Sequence, residues 1–118
     1  MEKQAYESTW NGYQDAWADV SDAERQRLLL HFVDDECTFE SPAGEGRGLA
    51  ELTTHIEAFQ AQYPGATFRT HTMIAHHGQA LAEWMMHDKD GAAFLPGKSY
   101  ARFGNDGRLI QLVGFWQL

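Results

Sequence analysis

The chain carries one cysteine and six histidines, and position decides what chemistry each could do. His55 is the one ionisable side chain on a helical face shared with Leu52, Ile56 and Phe59. An imidazole in that setting is either a hydrogen-bonded core group or a proton-transfer group, because its charge changes near neutrality. Ser41 closes a run, Cys37 to Ser41, whose period of two sets Cys37, Phe39 and Ser41 on one face and Thr38 and Glu40 on the other. A serine needs an activating neighbour to serve as base or nucleophile, and the sequence puts none beside Ser41. Cys37 likewise has no neighbour that would favour its thiolate and reads as a small buried hydrophobe. His71, His76 and His77 lie close together. Adjacent histidines in an extended turn are expected to point apart, and no paired carboxylate completes a ligand set, so no metal site is expected.

These groups need elements to hold them. Residues 2–19 set Tyr6, Trp10, Tyr13 and Trp17 on one helical face, a core stripe whose two tyrosines leave a polar tip free to meet a ligand. Ser21-Asp22-Ala23-Glu24 is a capping box that opens a second helix, with Leu28, Leu29, Phe32 and Val33 buried and Asp34-Asp35 ending it. The strand to Ser41 follows, then a glycine-rich stretch, Gly44 to Gly48. That stretch lacks the lysine and the serine or threonine of a phosphate loop, so it reads as conformational freedom and no cofactor is expected. Leu49 to Gln62 is the third helix, stopped by Tyr63-Pro64-Gly65.

Beyond Ala66 the period becomes two. Phe68, Thr70, Thr72 and Ile74 alternate with Arg69, His71, Met73 and Ala75, and further strands are expected from Gln79 to His87, around Lys98 to Phe103 and from Leu109 to Gln117, joined by glycine-containing turns. In the Gln79 strand either face could turn inward. Burial cost favours the face with Ala80, Ala82, Trp84 and Met86 over the one with Glu83 and His87. The expected fold is α+β: one domain, residues 1–118, in which a curved antiparallel sheet wraps as a cone around three helices, its open end a natural small-molecule pocket.

The chain also resembles the nuclear transport factor 2-like superfamily, whose fold is a cystatin-like α+β roll, and within it the SnoaL-like branch that includes polyketide cyclases. The resemblance rests on Phe32-Val33-Asp34-Asp35 leading to Phe39-Glu40-Ser41-Pro42, on Gly48, on Tyr63-Pro64-Gly65-Ala66, on His76-His77-Gly78 with Trp84, and on Tyr100-Ala101-Arg102-Phe103 through Asp106-Gly107-Arg108-Leu109 to Gly114-Phe115-Trp116. In the ketosteroid isomerases of this superfamily an aspartate precedes the proline, where this chain has Ser41. An oxyanion hole there uses a tyrosine, matched by Tyr13, and an aspartate whose position holds Ser99. The resemblance therefore implies a pocket lined by Tyr13, Trp17, Phe39, Ser41, Leu52, His55, Ile56, Phe59, Ser99, Leu112 and Trp116. His55 and Tyr13 are its expected catalytic pair, and Trp17, Phe39, Ser41, Phe59, Ser99 and Trp116 its expected substrate contacts. The expected ligand is small, cyclic or polyketide-like, and apolar or weakly polar. The alternative is a binding or assembly module that has lost the catalytic carboxylates.

Composition narrows the partners. The net charge is -8 and no basic cluster interrupts it, which argues against nucleic acid and anionic membranes. No apolar run approaches a membrane span and the N-terminus has no signal-like apolar core, while a lone cysteine excludes an intrachain disulfide; a cytoplasmic location is expected. Apolar residues on the outer sheet face suggest a homodimer through the sheet.

Overall fold

The computed structural model describes residues 2–117. Helix α1 (Lys3–Asp15) buries Tyr6, Trp10 and Tyr13 of the stripe that the spacing predicts, and with them Gln14, which the spacing puts on the opposite, polar face; the helix stops short of residue 19. The reason lies in the next helix. Arg25, only 5% exposed, donates from Nε to the Ala16 carbonyl at 2.9 Å and from Nη2 to the Ala18 carbonyl at 3.0 Å. These carbonyls follow the last helical turn, where no further helical amide reaches them, and the guanidinium takes the place of the missing turn.

Helix α2 (Asp22–Phe32) begins where the capping box places it, with Ser21 Oγ accepting from the Glu24 amide at 3.1 Å. It passes without a loop into strand β1 (Val33–Ser41). Val33 and the two aspartates, expected to finish the helix, instead begin the strand. β-branched Val33 is fully buried there, Asp34 accepts from the Glu36 amide, and Arg108 pairs with Asp34 at 3.5 Å.

The glycine-rich stretch is not a free loop. Gly44–Arg47 forms strand β2, antiparallel to β1 with Ser41 opposite Gly44 and Thr38 opposite Arg47. Gly-Glu-Gly-Arg has no apolar alternation to announce a strand. Its glycine has a packing role: a Cβ on Gly46 would lie 2.5 Å from the Phe39 ring. Helix α3 (Leu49–Gln62) matches its expected bounds and buries Leu52 and Ile56.

Four strands complete one six-stranded sheet: β3 (Thr67–His76), β4 (Gln79–His87), β5 (Ala93–Phe103) and β6 (Leu109–Phe115), in the order β2-β1-β6-β5-β4-β3. β3 to β6 form the expected antiparallel meander, but β1 lies parallel to β6, so the sheet is mixed rather than wholly antiparallel. The regular alternation expected for β3 also fails. A bulge between Thr70 and Thr72 inserts His71, so Phe68 and Thr70 face the helices before it and Met73 and Ala75 after it, leaving Ile74 68% exposed.

β4 turns Ala80, Ala82, Trp84 and Met86 inward. Glu83 sits on the outer face, where Thr72 and Lys98 reach it and hold its carboxyl below the usual range. At the β3–β4 turn the expected divergence of two histidines is overturned. His77 has φ 50°, which bends it back until its Nδ1 lies 3.0 Å from Nδ1 of His76. Among the described residues no third ligating side chain joins them.

Candidate active site

Helices and sheet do not meet everywhere. Between α1, α3 and the inner sheet face lies a cavity of about 330 Å³. Its walls come from separate parts of the chain: the α1 stripe continues through Trp17, α3 offers Leu52, His55 and Phe59, β1 offers Phe39 and Ser41, and the β4–β5 pair offers Trp84 and Ser99. Trp116, beyond β6, covers one side, its ring lying where a Cβ on Gly114 would be (2.8 Å).

His55, Tyr13, Trp17, Phe39, Ser41, Phe59, Ser99 and Trp116 all line this cavity, as does Leu112. Ile56, expected with them, is fully buried in the core and is not part of the wall. Sequence reasoning missed Trp10, Gln14, Phe68, Trp84, Met86 and Leu95. Trp10 lies in the aromatic stripe and Trp84 in the inward set of β4. Nothing in the sequence singles out Gln14.

His55 is half-buried among aromatic rings, with Trp17 edge-on at 5.6 Å and Phe39 at 5.1 Å. Burial lowers its pKa. Among the described residues no side chain or backbone group hydrogen-bonds its ring, so a neutral imidazole here keeps an uncommitted lone pair.

Tyr13 accepts from Trp17 Nε1 at 2.8 Å, and burial raises its pKa. Its hydroxyl thus stays protonated, with its own hydrogen unclaimed by the described residues. Ser99 accepts from Trp84 Nε1 at 3.0 Å. Ser41 is engaged otherwise: its Oγ accepts from the Ala43 amide at 3.1 Å, a serine turn that stabilises the bend after β1, and it touches no base. Among the described residues the only carboxylate on the wall is exposed Glu40. Cys37 is buried, and its thiol is pushed up to about 12 by burial and then by the charge of Asp34.

A mixed six-stranded sheet packed against three helices around a cavity is a fold found in solved structures of nuclear transport factor 2-like proteins. A family model of the SnoaL-like domain matches residues 13–112, and the chain belongs to that family. No curated protein matches the sequence. Among solved structures, a proposed isomerase of the SnoaL-like family from Agrobacterium tumefaciens superposes with TM-score 0.90 at 22% identity, covering 98% of this chain and 99% of that one. A nuclear transport factor 2-like protein from Exiguobacterium has TM-score 0.74 at 17% identity, covering 92% and 98%. A proposed polyketide cyclase from Sinorhizobium meliloti has TM-score 0.73 at 13% identity, covering 91% and 93%. At these identities the likeness is one of fold.

Proposed function

We propose that the cavity binds a small, cyclic or polyketide-like carbonyl compound and that His55 moves a proton at the carbon next to the carbonyl, an isomerase-, cyclase- or lyase-type reaction. The uncommitted lone pair of His55, set among the aromatic rings of the wall, carries this reading. The imidazole takes the proton as the C–H bond breaks, and the electron pair moves onto the carbonyl oxygen. Tyr13 donates to the oxygen as it gains charge. Return of the proton to another carbon completes an isomerisation; attack by the carbanion, or loss of a leaving group, gives the other two outcomes.

Deuterium exchange into 2-tetralone in heavy water, followed by NMR, tests this chemistry without knowledge of the natural substrate. Wild-type protein is expected to accelerate exchange, His55→Ala to abolish the acceleration, and Tyr13→Phe to reduce it by roughly 10²-fold. Full acceleration by His55→Ala sinks the assignment. Absence of any acceleration in the wild type favours the second reading, a ligand-binding module, whose support is that among the described residues no buried carboxylate stands on the cavity wall. On either reading the protein is proposed to dimerise through the outer sheet face, where exposed Ile74 and Leu81 stand opposite each other across β3 and β4. The single reduced cysteine is in keeping with a cytoplasmic setting.

A further inference from the structure

Three of the four tryptophans spend their indole N–H in the same way. Trp17 donates to the Tyr13 hydroxyl at 2.8 Å and Trp84 to the Ser99 hydroxyl at 3.0 Å. Trp10 donates to Thr70 Oγ1 at 2.8 Å, and that hydroxyl donates onward to Gln14 Oε1 at 2.9 Å. An indole can only donate, so each of these contacts fixes the sense of the next group. Tyr13 and Ser99 accept from behind and keep a hydrogen to give. Gln14 has its oxygen occupied and keeps its amide hydrogens, which no described residue receives. Tyr13, Ser99 and Gln14 all stand on the cavity wall. A hydroxyl that already accepts a hydrogen bond is also the better donor for it, because polarisation runs along the chain.

We infer that the three indoles fix the polarity of the pocket, so that its buried polar groups give hydrogen bonds rather than take them, and that it selects ring compounds whose polar groups are carbonyl oxygens over their alcohol counterparts. The inference rests on the pocket proposed above and deepens it. A ketone oxygen satisfies a donor from Tyr13 or Ser99 and brings no hydrogen of its own. An alcohol of the same shape brings a hydroxyl hydrogen to a wall where, among the described side chains, the unengaged acceptors are the His55 lone pair and the exposed Glu40 and Gln62, and in the buried part away from His55 that hydrogen is stranded. Trp17 and Trp84 act through the hydroxyls they hold and are positioning residues.

Isothermal titration of 2-tetralone, 2-tetralol and tetralin tests the inference, with tetralin reporting the packing of the bare rings. Wild-type protein is expected to bind the ketone about tenfold more tightly than the alcohol, the typical effect of one stranded hydrogen-bonding group. Trp17→Phe frees the Tyr13 oxygen to accept, and Trp84→Phe frees that of Ser99. Each is expected to bring the ketone-to-alcohol ratio towards one, both affinities being taken relative to that of tetralin in the same variant, and a cooperative melt shows that the fold survives. Equal binding of ketone and alcohol by the wild type, or a ratio unmoved in both variants, overturns the inference and leaves the proton-transfer chemistry standing if deuterium exchange persists. Failure of all three compounds to bind removes the pocket reading and this inference together.

Discussion

A histidine that nobody holds is unusual on a buried wall, and its consequence for pH can be worked out. Burial depresses the pKa of His55 below its free value, so the imidazole stays neutral, and basic, further into acid than a free histidine. Exchange catalysed by His55 is therefore expected to hold constant from neutrality down past about pH 6.5, the ordinary histidine value, and to fall only below the depressed folded-state pKa. A rate that already halves above that value contradicts the reading. Stability follows the same sign. Between the folded and unfolded pKa values the unfolded chain binds more protons, so stability drops as pH falls through the unfolded value. His55→Phe should flatten that part of a urea-midpoint profile. Cys37, with its thiol pushed up to about 12, should resist iodoacetamide at pH 8 in the folded protein and react fully in urea. The site residues that could be read in advance, His55, Phe39 and Ser41, were legible because each sits on a periodic face. Gln14 was not, because its role comes from Thr70, 56 positions along the chain.

At the scale of elements, helices announced themselves better than strands did. Ser21 marked the start of α2 and Tyr63-Pro64-Gly65 the end of α3, since caps and breakers are local chemistry. The bulge at His71 and the short strand β2 escaped because pairing partners set them, and the sequence of one strand does not display its partner. The end of α1 escaped for a similar reason, being decided by Arg25. Arg25→Met keeps most of the volume but strands the Ala16 carbonyl, the Ala18 carbonyl keeping its bond from the Val20 amide, and the urea midpoint should report a loss of about 1–3 kcal/mol. Gly97 is a second case of control from across the sheet. It stands opposite Trp84, and a Cβ there would fall 2.2 Å from the indole. Gly97→Ala should displace that ring, costing about 1–3 kcal/mol and shifting tryptophan emission as the bond to Ser99 is lost.

For the whole molecule, the outer face of the sheet is the open question that solution work answers directly. Ile74 and Leu81, 68% and 51% exposed, lie beside Tyr100 in the next strand. A sheet-to-sheet dimer would cover all three. Sedimentation should give a dimer for the wild type and a monomer for Ile74→Lys with Leu81→Lys; a wild-type monomer at micromolar concentration rules the arrangement out. The overall architecture was legible in the sequence because the order of helices and hairpins leaves few ways to pack. The parallel pairing of β1 with β6 was not, since no turn joins them.

That pairing also sets the order in which a growing chain can acquire its site. Phe39 lies beside Leu112 in the finished sheet. On the ribosome, everything from Tyr13 to His55 is made long before the strand that β1 must lie against. Until β6 emerges, β1 has only the four-residue strand β2 beside it in the sheet, although α1 can already meet β3 through Trp10 and Thr70. The strand that carries Phe39 and Ser41 must wait for β6 to complete its pairing, so a nascent chain stalled before Leu109 should be protease-sensitive in β1.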